Sequence, residues 1–527
     1  METGQEINLR EKLNKIPVGL ILILILFLGL SIVFGHYKAY LYEDEVLSYT
    51  AANSLNGLRP KYDRYTLTDG KEFIRNALAV DSAHRFDYAN TAKNTSDDPH
   101  PPFYLYLLHT ISSLMPGVYS KWFALGINIV SGIVILIFSY LAASKIFKKK
   151  EQIYASVIML AFSTAFMDKI TFLRMYPMMT AFAMALFYNY LCFFENSDLW
   201  KRKKTGLKAA GILLINVVAG TMTHYYFLIF AFFAAAFYSI WLLLKKNFRA
   251  FAGHLLTYVF AAAASLMIFP SMLWQISSSD PMSESSEGAA GIGVLISRAR
   301  EMFIEFNLDF FNGFLKYFVL AFAALLIYIL LYEKKRPEYH ISEKILFTFV
   351  VSVGYLTLVS ITTPYGSSRY LTPVYPLLVM ILIYLAEPLI KLIFKDGRFG
   401  IAVLTAIFLF PLYQEVSAGL TDRNKVEMQR IASEYSDHYC ITWSGMTLEE
   451  NYFELEKYAG LFKIKLNDEE APDEIDSRIA DSEELVVYVP KGKDPQVYMD
   501  YLKRYVDGID EYTLLYKAYY ADAYLMN

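Results

Sequence analysis

Residues 16–35 read IPVGLILILILFLGLSIVFG, and residues 36–47 continue HYKAYLYEDEVL. The first stretch carries no charge, and at helical rise it crosses a hydrocarbon core of about 30 Å. The second ends in Glu43-Asp44-Glu45, just beyond the crossing. Acidic side chains there are either a solvated flank or a reaction centre at the membrane surface, and the remaining sequence favours the second reading.

The chain has 527 residues, 55% of them hydrophobic, and a mean hydropathy of +0.31, which is more apolar than a soluble domain. Charged residues make up 19% and cluster between long uncharged runs, the pattern of a polytopic helical membrane protein. The net charge of −3 gives no reason to expect nucleic acid as a partner. Tyrosine (42) and phenylalanine (39) are abundant, which suits interfacial belts and helix packing. Arg10, Lys12 and Lys15 precede the first apolar run as in a signal peptide. No small-x-small cleavage site follows, so this run reads as an uncleaved first helix.

Basic clusters punctuate the apolar runs: Lys148-Lys149-Lys150, Lys201 to Lys204, Lys245-Lys246 with Arg249, Lys334-Lys335-Arg336, and Lys391, Lys395 and Arg398. Short basic loops mark the cytoplasm, so each interval between neighbouring clusters holds an even number of crossings. Gln152–Met167 pairs with Met175–Phe194. Ala209–Leu244 forms a hairpin turning at His224. Phe251–Trp274 pairs with Phe314–Tyr332 through a Ser/Gly-rich outer loop. Ile345–Thr363 pairs with Tyr370–Leu389, turning at residues 365–369, and Ile401–Tyr413 leaves once more. Trp122–Ser144 spans, whereas Pro101–Met115 is short, bounded by prolines, and reads as a membrane-embedded helix that does not cross. The expected fold is an all-α polytopic membrane protein of about 11–13 transmembrane helices.

The expected division is a transmembrane domain over 1–417, with a long first outer loop over 37–100, and an extracytoplasmic α/β domain over 418–527. In the latter, Tyr439–Trp443 and Glu484–Val489 read as strands, and Glu449–Ala459 as a helix. Another helix opens at Asp494-Pro495 and closes at Gly508. The N-terminus is placed in the cytoplasm and the C-terminal domain outside the plasma membrane.

This parity places several polar groups on the outer face: Asp44 and Glu45; Asp97 to Pro102, with His100; Asp168 to Tyr176, with Arg174; His224-Tyr225-Tyr226; and Ser368-Arg369-Tyr370. Ionisable groups at membrane edges are costly and tend to pair or line a cavity, so a shared cavity is expected. Carboxylates can take a proton from an attacking hydroxyl or hold a divalent cation. Arg174 and Arg369 offer planar forks for phosphate oxygens, and His100 and His224 can assist.

These motifs resemble the polytopic glycosyltransferases of the C superfamily, closest to the branch of protein O-mannosyltransferases and lipid A aminoarabinose transferase. Asp44-Glu45 is similar to the family's acidic motif in the first outer loop. Asp98-Pro99-His100-Pro101-Pro102-Phe103-Tyr104 is similar to its D-x-H-P-P-(L/F)-Y signature. Leu173-Arg174-Met175-Tyr176 resembles an R-x-Y element, with Phe172 where an acidic residue often stands. Thr223-His224-Tyr225-Tyr226 resembles a recurrent hairpin, and Arg369 to Pro376 the late R-Y-L-x-P-x-x-P segment. The resemblance covers roughly residues 16 to 415.

The resemblance implies an inverting transfer, on the outer face, of a hexosyl or pentosyl group from a polyprenyl-phosphate sugar donor to a hydroxyl on a glycan, lipid or protein. It implies Asp44 as general base, or as the carboxylate that orients the acceptor, with Glu45 as its neighbour or a metal contact. His100, Arg174, Tyr176, His224, Tyr225, Arg369 and Tyr370 would bind substrate. Some members use a divalent cation such as Mg or Mn and others do not; its ligands here would be Asp44 and Glu45. The competing readings are a transporter or flippase, which would show internal repeats, and a non-catalytic relative in cell-surface polysaccharide assembly.

Overall fold

The computed structural model describes residues 17–196, 199–200, 203–278, 292–332, 340–363, 366–418, 423–468 and 471–527. The basic N-terminus, Lys201-Arg202, Lys334-Lys335-Arg336, most of the Ser/Gly-rich loop, Tyr365 and the start of the expected C-terminal domain lie outside the described residues. The chain forms two compact units: Met1–Gly35, Pro99–Tyr104 and Ala124–Gly419 in one, and His36–Asp98, Leu105–Phe123 and Leu420–Asn527 in the other.

The first unit is helical, and the protein is a multi-pass membrane protein. Among the described residues, seven helices are long and apolar enough to cross a bilayer: Val18–Tyr37, Lys121–Ile146, Tyr176–Glu195, Tyr226–Leu244, Phe248–Ile268, Glu343–Thr362 and Ser368–Ile393. An eighth is Lys150–Ala161 with Thr164–Thr171, if that pair, bent by 48°, is one span. The expected number of crossings was larger. Helices do occupy the other expected places, at Lys203–Thr221, Leu315–Tyr332 and Gly397–Ala418. The short segment after His100 is a 12-residue helix, Phe103–Leu114.

Ion pairs fasten one end of this bundle. Glu195 binds Lys145 and, at 2.6 Å, Lys344; Glu387 binds Lys391 and, at 2.7 Å, Lys149. The ends that parity assigned to one side therefore meet. Close packing holds the first helix: a Cβ on Gly132 would lie 2.6 Å from the Phe27 ring, so only glycine admits that approach.

Two expectations fail in this unit. A helix, Ile292–Phe311, stands where a loop was expected. Its charges Arg298, Arg300, Glu301, Glu305 and Asp309 break up the apolar run that would have marked it. The expected Phe251–Trp274 span stops at Ile268 ahead of Pro270, and Met272–Ser278 is a separate helix.

The second unit is built on a sheet of order β1-β3-β2-β4-β6-β5: Leu67–Thr68, Gly460–Ile464, Tyr439–Trp443, Leu485–Pro490, Ala521–Met526 and Tyr512–Lys517. β2 runs parallel to β3 and β4, and the other pairs are antiparallel. Alternating apolar residues of β2, β3 and β4 (Ile441, Phe462, Val487) pack on Tyr498 and Leu502 of the Pro495–Leu502 helix. That helix has the expected Asp494 cap and proline at its start, but it ends at Leu502; Gly508 sits beyond it at φ +85°. The expected Glu449–Ala459 helix shrinks to a 3₁₀ turn, Glu449–Asn451, and one α turn, Tyr452–Leu455, before β3.

β1 comes from the first outer loop. Leu67 pairs with Phe462, Arg64 binds Asp468 at 2.8 Å, and the Tyr62 hydroxyl lies 2.5 Å from that of Thr442. The first loop and the C-terminal segment thus share one sheet, a pairing that two residues of strand could not announce.

Glu454 is buried in this unit. Burial pushes its pKa up to about 7, against a smaller pull from Lys425. The folded state keeps a proton that the unfolded chain loses near the ordinary value of 4.5, so stability falls as pH rises from 4.5 to about 7. Glu454→Gln is expected to remove this penalty, on the order of 3 kcal/mol at pH 8 and little at pH 5. Thermal unfolding at both pH values checks it, and equal shifts at the two would contradict it.

Candidate active site

In the membrane unit, ionisable and aromatic side chains from four chain segments converge. His100 lies just before the Phe103–Leu114 helix, whose first N–H, that of Phe103, donates to the Met222 carbonyl at 2.9 Å. This bond ties the His100 segment to the turn carrying His224. Arg174 sits in the break between Thr164–Thr171 and Tyr176–Glu195, 2% exposed. Asn128 braces that break, its amide donating to the carbonyls of Ile170 (3.1 Å) and Phe172 (2.7 Å). The Arg174 guanidinium reaches the His100 ring at 3.4 Å.

His224 occupies the turn between Lys203–Thr221 and Tyr226–Leu244. Its Nδ1 accepts the Tyr226 N–H at 3.1 Å, which puts the ring proton on Nε2. Nε2 is buried and meets no hydrogen-bond partner among the described residues. Burial first, and then the nearness of His100 and the charges of Arg174 and Arg369, lower the His224 pKa far below its usual value. A neutral N–H donor therefore stands among cations.

Arg369 begins the last side. Its guanidinium lies 5.6, 5.9 and 5.3 Å from the rings of Phe172, Tyr176 and Tyr370, which form an aromatic cage around the charge. Its 3₁₀ segment, Ser368–Val374, is fixed by Tyr355, which donates to the Tyr370 carbonyl at 2.7 Å, and by Thr372, which donates to the Arg369 carbonyl at 2.6 Å.

Of the residues expected here, His100, Arg174, Tyr176, His224, Arg369 and Tyr370 come together. Tyr225 points elsewhere, its hydroxyl donating to Gln275 at 2.5 Å. Tyr226 takes its place, with its ring 5.1 Å from those of His224 and Tyr370. Sequence reasoning quoted Tyr226 with its hairpin but gave the binding role to Tyr225, and it gave none to Phe172 or Asn128; one aromatic or amide among so many carries no local signal.

In the second unit, Glu43, Asp44 and Glu45 form the first turn of the helix Glu43–Asn53, where the helix dipole favours negative charge. Their environments differ. Glu45 is fully buried, pairs with Lys38 at 2.9 Å and accepts the Tyr42 N–H at 2.7 Å. Glu43 pairs with Arg59 at 2.7 Å and accepts the Tyr520 hydroxyl at 3.2 Å. Asp44 is half-buried between them. Glu45 is thus committed to holding the turn in shape. Glu45→Gln leaves Lys38 buried without its counter-charge and is expected to destabilise the protein by about 3–5 kcal/mol. Thermal unfolding checks this, and an unchanged midpoint would contradict it.

Among the described residues, no three His, Cys, Asp or Glu side chains gather to hold a metal ion. With Glu45 engaged by Lys38, the acidic turn does not fit a protein-built cation site.

No family model and no curated protein matches the chain. Solved structures with a similar course include ArnT from Cupriavidus metallidurans bound to undecaprenyl phosphate, at 11% identity and TM-score 0.46, covering 95% of this chain and 97% of that one. The same protein in the apo state gives 10% and 0.47 over the same shares. The Archaeoglobus fulgidus oligosaccharyltransferase complex with Zn and sulfate gives 13% and 0.41, covering 88% and 69%. At these scores the likenesses carry no weight for function, which is argued from the chain's own residues.

Proposed function

We propose that this protein is an integral membrane glycosyltransferase that moves a sugar from a polyprenyl-phosphate donor to a hydroxyl acceptor on the outer face of the plasma membrane, with inversion. The observation that carries the reading is the convergence of buried Arg174 and His224 with half-buried His100 and Arg369 in a unit made of membrane-crossing helices. Such a cluster favours an anion, and a membrane-embedded anion site fits a lipid phosphate. The N-terminus is assigned to the cytoplasm and the C-terminal segment to the outside.

Arg174 and Arg369 hold the phosphate as forked donors, and the His224 Nε2–H adds a neutral one. Phe172, Tyr176 and Tyr370 keep Arg369 in place. Asp44 accepts the acceptor's hydroxyl proton. As the acceptor oxygen bonds to the anomeric carbon, the bond from that carbon to the phosphate oxygen breaks. The arginines stabilise the charge that develops on the departing polyprenyl phosphate. Glu45 positions the turn, and no step is routed through a metal ion.

The test is donor-site binding. Calorimetric titration of the purified protein with a short-chain polyprenyl phosphate is expected to show one saturable site. Arg174→Ala weakens it, and a neutral polyprenol does not compete. Equal binding of phosphate and polyprenol would sink the reading.

A further inference from the structure

A transfer reaction also needs a place for its acceptor, and the second unit carries groups that none of the roles above uses. The turn between β5 and β6 presents Tyr519 and Tyr520, 63% and 38% exposed, with rings 4.7 Å apart and nearly perpendicular. The turn is locked: the Ala518 N–H donates to the Ala521 carbonyl at 3.0 Å, and the Lys491 N–H to that of Tyr520 at 2.9 Å. Two large rings are therefore held at the surface on a fixed backbone, which lowers the ordering cost of binding.

The position of the pair matters most. The Tyr520 hydroxyl donates to Glu43, the residue before Asp44. Burial, and then the Glu43 charge, push this phenol up to about 12, so it remains a donor at neutral pH. Arg59 binds the other Glu43 oxygen and reaches Glu449 at 3.0 Å, with about half of its side chain still exposed. Tyr42, 44% exposed, precedes Glu43 at the N-cap of the same helix. The acidic turn thus has exposed phenol rings from two distant parts of the chain next to it, with a guanidinium fork on Glu43.

A pyranose offers a face of C–H groups and a rim of hydroxyls. Tyrosine rings cover the face, and carboxylates and guanidinium groups bond the rim. An ion-pair network alone would not need the rings. Exposed tyrosines also serve as membrane-interface anchors. Here, however, Glu43 and Glu450 act on Tyr520, and that negative density opposes an anionic lipid surface.

We propose that Tyr519, Tyr520 and Arg59 form an acceptor subsite for a saccharide, which presents a sugar hydroxyl to Asp44. This rests on the reading of Asp44 as the base, so its test measures binding without donor or turnover.

The full-length protein in nanodiscs is mixed with mannotetraose, cellotetraose and chitotetraose, and saturation-transfer NMR reads binding. At least one saccharide is expected to bind. Tyr519→Ala should weaken it tenfold or more, and Tyr519→Phe should retain it. In parallel, Tyr519→Trp is placed in nanodiscs of brominated lipid, where its fluorescence is expected to escape quenching. Absence of binding by all three saccharides, binding indifferent to Tyr519→Ala, or quenching by the brominated lipid would each overturn the subsite. The last would make the turn a membrane anchor.

Discussion

Asp44→Asn is expected to reduce sugar transfer by about 10²–10⁴-fold, the range lost when a general base is removed. The substitution keeps size and shape, and Asp44 is half-buried, so folding should survive. The neighbouring acids should not take over. Glu45 is buried against Lys38, and Glu43 is held by Arg59 and Tyr520. Transfer assayed with saturating donor, alongside thermal unfolding and donor binding, separates the cases. The account expects lost transfer with normal unfolding and normal donor affinity. Transfer within threefold of wild type would move the base elsewhere in the chain.

The second large effect belongs to Arg174. This guanidinium is 2% exposed, and its chain segment is stapled by Asn128. Arg174→Ala removes a buried partner of the donor phosphate and is expected to cost about 2–5 kcal/mol in donor use. Arg174→Lys keeps the charge but loses the fork, so it should recover only part of that loss. Asn128→Ala should fall in the same direction by a smaller amount, because it loosens the break without removing the charge. The measurement is kcat/KM for donor in each variant. A full recovery by Arg174→Lys would mean that point charge, not forked bonding, holds the phosphate.

Much of the cluster was legible because membrane edges make ionisable residues expensive. His100, Arg174, His224 and Arg369 each stand at the end of an apolar run, where a charge needs a reason. The pairing of helix ends was legible too, since Glu195 and Glu387 lie near the lysines that parity had placed on one side. The aromatic members were not. Phe172 and Tyr226 matter through ring geometry, and nothing distinguishes them among 39 phenylalanines and 42 tyrosines. The helix Ile292–Phe311 was hidden by its own charges. The separate duties of Glu43, Asp44 and Glu45 depend on Lys38, Arg59 and Tyr520, and Tyr520 lies near the far end of the chain. Local sequence cannot rank three adjacent acids whose partners arrive only on folding.

The most direct test of the central claim is donor turnover. Purified wild-type protein in proteoliposomes is given a panel of radiolabelled polyprenyl-phosphate sugars, and release of polyprenyl phosphate is followed by chromatography, with and without oligosaccharide acceptors. The account predicts that one donor is consumed, faster with acceptor present. It also predicts that this release disappears in both Asp44→Asn and Arg174→Ala. No release from any donor by well-folded wild type, or equal release by wild type and both variants, would contradict it.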